Sequence, residues 1–321
     1  MTAPEKALEV FPNAVALLRR DDKAAREFAR ESLSPATRRA YQTDVDAFVN
    51  WCRGRGVEAL PAQPEVVAAF LAHEAERGLR TSTIARRASG IRLLHRAAGF
   101  DTPTTSEIVR TTLKGIRRNL GVAPQQKAPA TVEVVLDMVQ HVPDSLLGTR
   151  DRALLLFAFA SACRRSELSS MLASHLTEVP EGFRVMIPKS KGDQEGEGQE
   201  IAVVRGRKAC PVAAMKNWLE AASITDGPVF RRMRRGGVVL DDALRPQGIA
   251  QVVKLYAEKA GYNPADFSGH SLRSGFLTSA AARGASIFKL IEVSRHKSVN
   301  TLRGYIRKVE IFEDHAAEGL L

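Results

Sequence analysis

The chain lacks any run of about 18 apolar residues, so no segment is suited to cross a bilayer as a helix. Its opening MTAPEKALEV lacks the basic-then-apolar order of a secretory signal. Cysteine is scarce. Cys52, Cys163 and Cys210 form an odd set without CxxC spacing, which argues against a disulfide scaffold or a zinc ribbon and fits a reducing cytoplasm. No GxxxxGK[ST] occurs, and Lys189–Gly198 lacks the required ending, so a P-loop NTPase is disfavoured. Internal repeats and low-complexity tracts are absent as well.

Positive charge, by contrast, is abundant. Lys and Arg number 47 against 36 Asp and Glu, a formal net charge of +11 over 321 residues. Such an excess points to a polyanionic partner, nucleic acid first. The length suits about two domains of roughly 100–200 residues. Up to residue 129 there are 21 basic and 14 acidic residues, and beyond it 26 and 22. Arg80–Arg118 holds nine basic residues against only Asp101 and Glu107. A charge run is by default a solvated helix face. Here the acids that interleave such a face are missing, which favours phosphate contacts.

Residues 1–32 read as an extension with a short amphipathic helix. Ser34-Pro35-Ala36-Thr37 starts a helix on which Tyr41, Val45, Phe48, Val49 and Cys52 recur at helical spacing. A second helix opens at Pro64-Glu65, and a third at Ser82 or Thr83 with Ile84, Ala88, Ile91 and His95 on one face. Thr83, Arg86, Arg87 and Gly90 line its other face, and a fourth helix follows from Thr105 to Asn119. Residues 33–120 are thus expected to be a compact helical unit with one basic side. Residues 121–130 carry two prolines and read as a linker that builds no core. Over 131–308, helices surround two expected strands, Gly182–Pro188 and Gln199–Val204. The expected class is mainly α with one small β-sheet.

The second part also holds Arg164 in Cys-Arg-Arg-Ser-Glu-Leu, Lys191 in the strand-to-strand turn, His270 and Arg273 in Gly-His-Ser-Leu-Arg, His296, and Tyr305. Each alone has an ordinary reading: a surface cation, a solvated turn lysine, a helix cap, a half-buried aromatic. Together they suit attack on a phosphodiester. Negative charge builds on a five-coordinate phosphorus, and a site without metal must meet it with fixed donors such as guanidinium forks. A lysine on a turn can protonate a leaving 5′ oxygen. A tyrosine hydroxyl near cations makes a nucleophile, and the covalent phosphotyrosine keeps the bond energy, so rejoining needs no ATP.

These boxes resemble the tyrosine recombinase (phage integrase) family. Cys-Arg-Arg-Ser-Glu-Leu is similar to its first box, and Gly-His-Ser-Leu-Arg…Arg-His-Lys-Ser-Val-Asn-Thr-Leu-Arg-Gly-Tyr-Ile-Arg to its second. The likeness spans about residues 33–318 and is closest to Cre-like members. It implies that Arg164, Lys191, His270, Arg273 and His296 surround nucleophile Tyr305, with Glu167 a buried acid bracing the arginines. It further implies an N-terminal DNA-binding domain and a C-terminal catalytic domain forming a clamp around DNA. Cleavage and rejoining would pass through a 3′-phosphotyrosine and a Holliday junction, with no cofactor or metal. The implied partner is double-stranded DNA with inverted half-sites around a short spacer. Four copies would assemble on two sites, residues 309–321 docking as a helix on a neighbouring protomer, in a bacterial, plasmid or phage setting. Cre-like members carry tryptophan at the position of His296, and Arg295 stands where a glycine is common. Lys189 and Lys191 compete for the lysine role, and the distance from Ile187 favours Lys191.

By the same resemblance, Arg39, Thr83, Arg86 and Arg87 would face bases and backbone in the major groove, with Gln247 a further candidate and Arg117 and Arg118 on phosphates. Arg38 or Arg87 could equally be ordinary solvated residues. Competing readings are a type IB topoisomerase, a regulator on a decayed catalytic fold, and a metal-dependent nuclease. The last would need converging carboxylates, and the boxes offer only Glu167.

Overall fold

The computed structural model describes residues 32–122, 126–188 and 197–296, with Val299, Leu302 and Gly304 beyond them. The chain divides into two compact units, Met1–Pro124 and Gln125–Leu321. The amphipathic extension before residue 32, Lys189, Lys191, Tyr305 and the terminal helix of 309–321 lie outside the described residues.

The first unit has four described α-helices: α1 (Pro35–Arg53), α2 (Pro64–Glu76), α3 (Thr81–Ala97) and α4 (Glu107–Leu120). Helix α1 begins where its cap residues require. Ser34 Oγ accepts the Thr37 N–H at 3.1 Å, and Pro35 occupies the first turn, where a missing N–H costs nothing. All four helices supply the core, through Phe48, Phe70, Leu71, Ile84, Ile91 and Val109 among others. His95 sits on that apolar face as a satisfied core group. Its Nε2 accepts the Ala62 N–H at 2.9 Å, and its Nδ1 lies 2.9 Å from the Ile91 carbonyl.

The expected basic side of α3 is largely a helix–helix contact. A Cβ on Gly90 would stand 3.3 Å from Asp44 Cβ and 3.6 Å from the Tyr41 carbonyl, so this row packs on α1. Arg86 donates to buried Asp44 through Nε at 2.8 Å and Nη2 at 3.1 Å. Arg87 pairs with buried Glu74 of α2 and lies 3.8 Å from Asp44. The acids missing from the local sequence arrive from two other helices. Local interleaving cannot register them.

The second unit wraps helices around α6 (Leu146–Ser161), which follows α5 (Val132–Gln140) and precedes the short α7 (Arg165–Ser169). Helix α6 is apolar on several sides and buries Leu154, Leu155, Phe157 and Ala158, as a central helix must. Two antiparallel sheets are present where one was expected. Strands β1 (Leu176–Val179), β2 (Gly182–Ile187) and β3 (Gln199–Val204) pair in sequence order, and β2 buries Phe183, Val185 and Ile187 in alternation. The second sheet pairs β4 (Arg231–Met233) with β5 (Val239–Ala243). These short strands escape sequence periodicity because β1 and β5 alternate too weakly and β4 spans only three residues. Helices α8 (Pro211–Ala221), α9 (Pro246–Lys259), α10 (Ser271–Ala281) and α11 (Ile287–Ser294) complete the described residues.

The end of the expected linker is part of this unit's core. Ala128 and Ala130 donate backbone N–H bonds to the Asp266 and Ser271 carbonyls at 2.8 and 2.9 Å, and Ala130 is fully buried. Gly275 of α10 makes room for it, since a Cβ there would lie 1.7 Å from the Ala130 carbonyl. Prolines deny this stretch a helix but do not stop it packing as extended chain.

Candidate active site

Helix α6 ends on Ala162, whose left-handed φ of 46° turns the chain towards Cys163-Arg164. Helix α11 ends on Arg295 at φ 57°, which turns it towards His296. Left-handed backbone at a non-glycine costs roughly 1–2 kcal/mol, and two of the three such described residues flank this site. Both turns serve Arg273. This arginine is 1% exposed on α10; its Nη1 donates to the Ala162 carbonyl at 2.5 Å and its Nη2 to the Ser294 carbonyl. The ends of two helices therefore hold one guanidinium. Arg273 Nε is buried with no partner among the described residues.

Glu167 organises the other arginine. At the third position of α7 it reaches back to accept the Arg164 backbone N–H at 2.8 Å, as capping glutamates do. Its other oxygen accepts Arg164 Nη1 at 2.7 Å, and Arg295 Nη2 donates at 2.7 Å to the oxygen that holds the backbone N–H. The carboxylate is 3% exposed and Arg164 20% exposed, so the acid lies beneath and the guanidinium is partly open. Glu167 thus serves Arg164 and Arg295 while Arg273 rests on backbone carbonyls, leaving an excess of fixed positive charge in a poorly solvated place.

The histidines feel that charge. Desolvation, then Arg273, Arg164, His270 and Arg295, lower the His296 pKa to about 4, so its ring is neutral at pH 7. His296 Nδ1 lies 2.7 Å from Ser294 Oγ, whose hydroxyl hydrogen goes to the Leu290 carbonyl at 2.5 Å. Ser294 Oγ is therefore left to accept, which assigns the ring proton to Nδ1 and a lone pair to Nε2. His270, at the start of α10, is also lowered, by desolvation and then by Arg273, Arg164 and Arg165. Arg273 itself is lowered to about 10, chiefly by desolvation and then by Arg164 and Arg295, and remains protonated at neutral pH.

Five of the seven residues singled out from sequence, Arg164, Glu167, His270, Arg273 and His296, are thereby brought together. Lys191 and Tyr305 lie outside the described residues. The strand end before Lys191 does reach the site, because a pocket of about 190 Å³ is lined by Glu167, Ser170, Met171, Ile187 and Pro188 among others. Among the described residues no three His, Cys, Asp or Glu side chains converge as metal ligands, and no helix is long and apolar enough to cross a membrane.

The DNA-reading candidates divide. Arg39, Arg117, Arg118 and Gln247 are exposed and Thr83 partly so. Arg86 is half exposed but bound to Asp44, and Arg87 is turned inward. Residues not singled out from sequence, Arg92, Arg110 and Lys114, join Arg117, Thr104 and Thr105 along a groove of about 470 Å³ in the first unit. Their signal was present, since 110, 114 and 117 share one face of a helix.

A site of arginines and neutral histidines gathered over one buried acid, in a mainly helical two-unit chain, suits chemistry on phosphate esters. Comparison with known proteins narrows the class. Residues 28–99 match the phage integrase N-terminal SAM-like domain, and residues 130–310 match the phage integrase family. An integrase/recombinase XerD homolog of Selenomonas ruminantium is 36% identical over 298 residues, covering 91% of this chain and 87% of that protein. The Cre recombinase of Escherichia phage P1 is 24% identical, covering 88% and 86%. A lambda integrase dimer bound to a COC′ core site shares the fold, with TM-score 0.61 and 17% identity over 89% of this chain and 93% of that one. The chain belongs to the phage integrase family of tyrosine recombinases. Of the two relatives, the XerD homolog shares more residues with this chain than Cre does, so the support for a special closeness to Cre is weak.

Proposed function

We propose that this recombinase cuts and rejoins DNA at specific sites through a 3′-phosphotyrosine, with Tyr305 the nucleophile. The observation that carries this reading is the excess of guanidinium over carboxylate around Arg164 and Arg273 among the described residues. Arg164 and Arg273 hold the non-bridging oxygens as charge grows on phosphorus. The neutral ring of His296, with its lone pair on Nε2, and that of His270 accept or share the phenol proton. Glu167 braces the arginines. Lys191, on the segment leaving Pro188, gives a proton to the departing 5′ oxygen. In the second step a 5′ hydroxyl from a partner strand attacks the phosphotyrosine, the tyrosine leaves, and the phosphodiester reforms with no net change in bond type.

In the same reading, residues 33–120 bind DNA and 131–308 catalyse, closing as a clamp around the duplex. Arg39, Thr83, Arg86 and Gln247 meet the DNA, and Arg117 and Arg118 its phosphates. Four copies engage two sites with inverted half-sites, residues 309–321 link protomers, and exchange passes through a Holliday junction. Tyr305→Phe tests the nucleophile, because it removes only the hydroxyl. Denaturing gels with labelled duplex that the wild-type chain enriches from a randomised pool should show a covalent adduct for wild type and none for the variant. An adduct surviving in Tyr305→Phe would remove Tyr305 from its role.

A further inference from the structure

Arg295 is spent on something. It occupies a left-handed turn where glycine is the natural choice, yet its side chain is 2% exposed and engaged inside the site. Its Nη2 donates to Glu167 at 2.7 Å and lies 3.7 Å from Cys163 Sγ, and its Nη1 donates to the Val293 carbonyl at 3.3 Å. Its backbone carbonyl lies 3.5 Å from Arg164 Nη2. The residue thus touches the first box three times, at Cys163, Arg164 and Glu167. Its neighbours in sequence touch the second box, Ser294 through the carbonyl that receives Arg273 and His296 through its ring, 3.3 Å from Arg273 Nη2.

We infer that Arg295 is a positioning residue for the reaction, a clasp between the end of α11 and the Glu167–Arg164 pair that sets where His296 and Arg164 stand relative to each other. The inference rests on the recombinase reading above. Without the clasp, Glu167 keeps only Arg164, and the end of α11 loses its tie to that pair, leaving His296 to the turn, the Ser294 hydroxyl and Arg273. The clasp is also electrostatic. His296 is faced by Arg273 on α10, Arg164 before α7, His270 at the start of α10 and Arg295 at the end of α11, with the Ser294 hydroxyl on Nδ1. Every charged group in that ring is basic, so each one opposes protonation of the imidazole.

Arg295→Gly separates the two contributions, since glycine suits the backbone turn while deleting the clasp, and Arg295→Lys restores the charge. The probe is the duplex that the wild-type chain enriches from a randomised pool, nicked in its spacer so that cleavage traps the adduct. Arg295→Gly should bind that duplex as wild type does but form adduct roughly tenfold more slowly, a loss of about 1.4 kcal/mol. Arg295→Lys should recover most of the rate. The acid limb of the rate–pH profile should move up in Arg295→Gly and stay in place in Arg295→Lys. Proton NMR of the free protein should show the same rise at His296 without any DNA. Equal adduct rates in wild type and Arg295→Gly, or a lysine variant as slow as the glycine one with His296 unmoved in both, overturns the inference. A wild-type chain that enriches no duplex or forms no adduct instead refutes the recombinase reading, and the His296 titration then still decides whether the clasp exists.

Discussion

Replacing Glu167 with glutamine removes one negative charge and almost no volume. In the wild type that carboxylate receives the Arg164 backbone N–H, Arg164 Nη1 and Arg295 Nη2, all within 2.8 Å. Glutamine keeps one acceptor oxygen and turns an N–H₂ towards donors, so at least one of these three bonds becomes a donor–donor contact. Arg164, Arg273 and Arg295 then lie together with no anion among them. Breaking a buried ion pair by neutralising one partner costs about 3–5 kcal/mol, and the retained acceptor places this case near the lower end. At about 2–4 °C per kcal/mol for a unit of this size, melting should fall by roughly 6–12 °C. Calorimetry of wild type and Glu167→Gln measures it directly. Added sulfate should recover part of the loss in the variant, because an anion then neutralises the uncovered guanidinium groups. A variant melting within about 1 °C of wild type, with or without sulfate, would refute the placement of Glu167 as the shared counter-charge of Arg164 and Arg295.

Three other outcomes follow from the structure. His296 is held near 4 against an ordinary 6.5, so the unfolded chain takes up the proton first as pH falls. Its contribution to stability is full above about pH 6.5 and is lost progressively down to about pH 4, on the order of 2–3 kcal/mol. Urea denaturation across that range should show the decline, and His296→Gln should flatten it; an equal slope in the variant would contradict the assignment. In the first unit, Arg87→Ala leaves buried Glu74 with only the exposed Arg77 and should destabilise that unit by about 1–3 kcal/mol. Arg39→Ala, at an exposed position, should leave melting unchanged and weaken duplex binding in band-shift titrations, and the opposite pattern would exchange the roles given to these two arginines.

Local chemistry made several features legible. Ser34-Pro35 marks a helix start because a side-chain acceptor and a missing N–H act over three residues. The Phe183, Val185, Ile187 alternation marks a strand because its period is two. Arg164, Glu167, His270, Arg273 and His296 were recognisable as residue types suited to a phosphodiester, and the structure gathers them from α7, α10 and the end of α11. Legibility failed where the partner is distant in sequence. Nothing near Arg87 announces Glu74, thirteen residues back on another helix, and nothing near Arg295 announces Glu167, 128 positions away.

The sequence by itself determined the inventory: an excess of cations over acids, the helical and alternating periods, the boxes and the family to which they belong. Each of these is carried by residues within a few positions of one another or by composition, which needs no fold. Tertiary structure decided which cations are already neutralised. Arg86 and Arg87 share one run of basic residues, yet they divide between a half-exposed and an inward position because Asp44 and Glu74 come from α1 and α2. It also decided that Ala130 is core and that Gly275 must stay small to admit it. The same holds for the single buried carboxylate that serves two arginines. Coulomb and packing energies act over a few ångströms of space, so they are settled only when the helices have met.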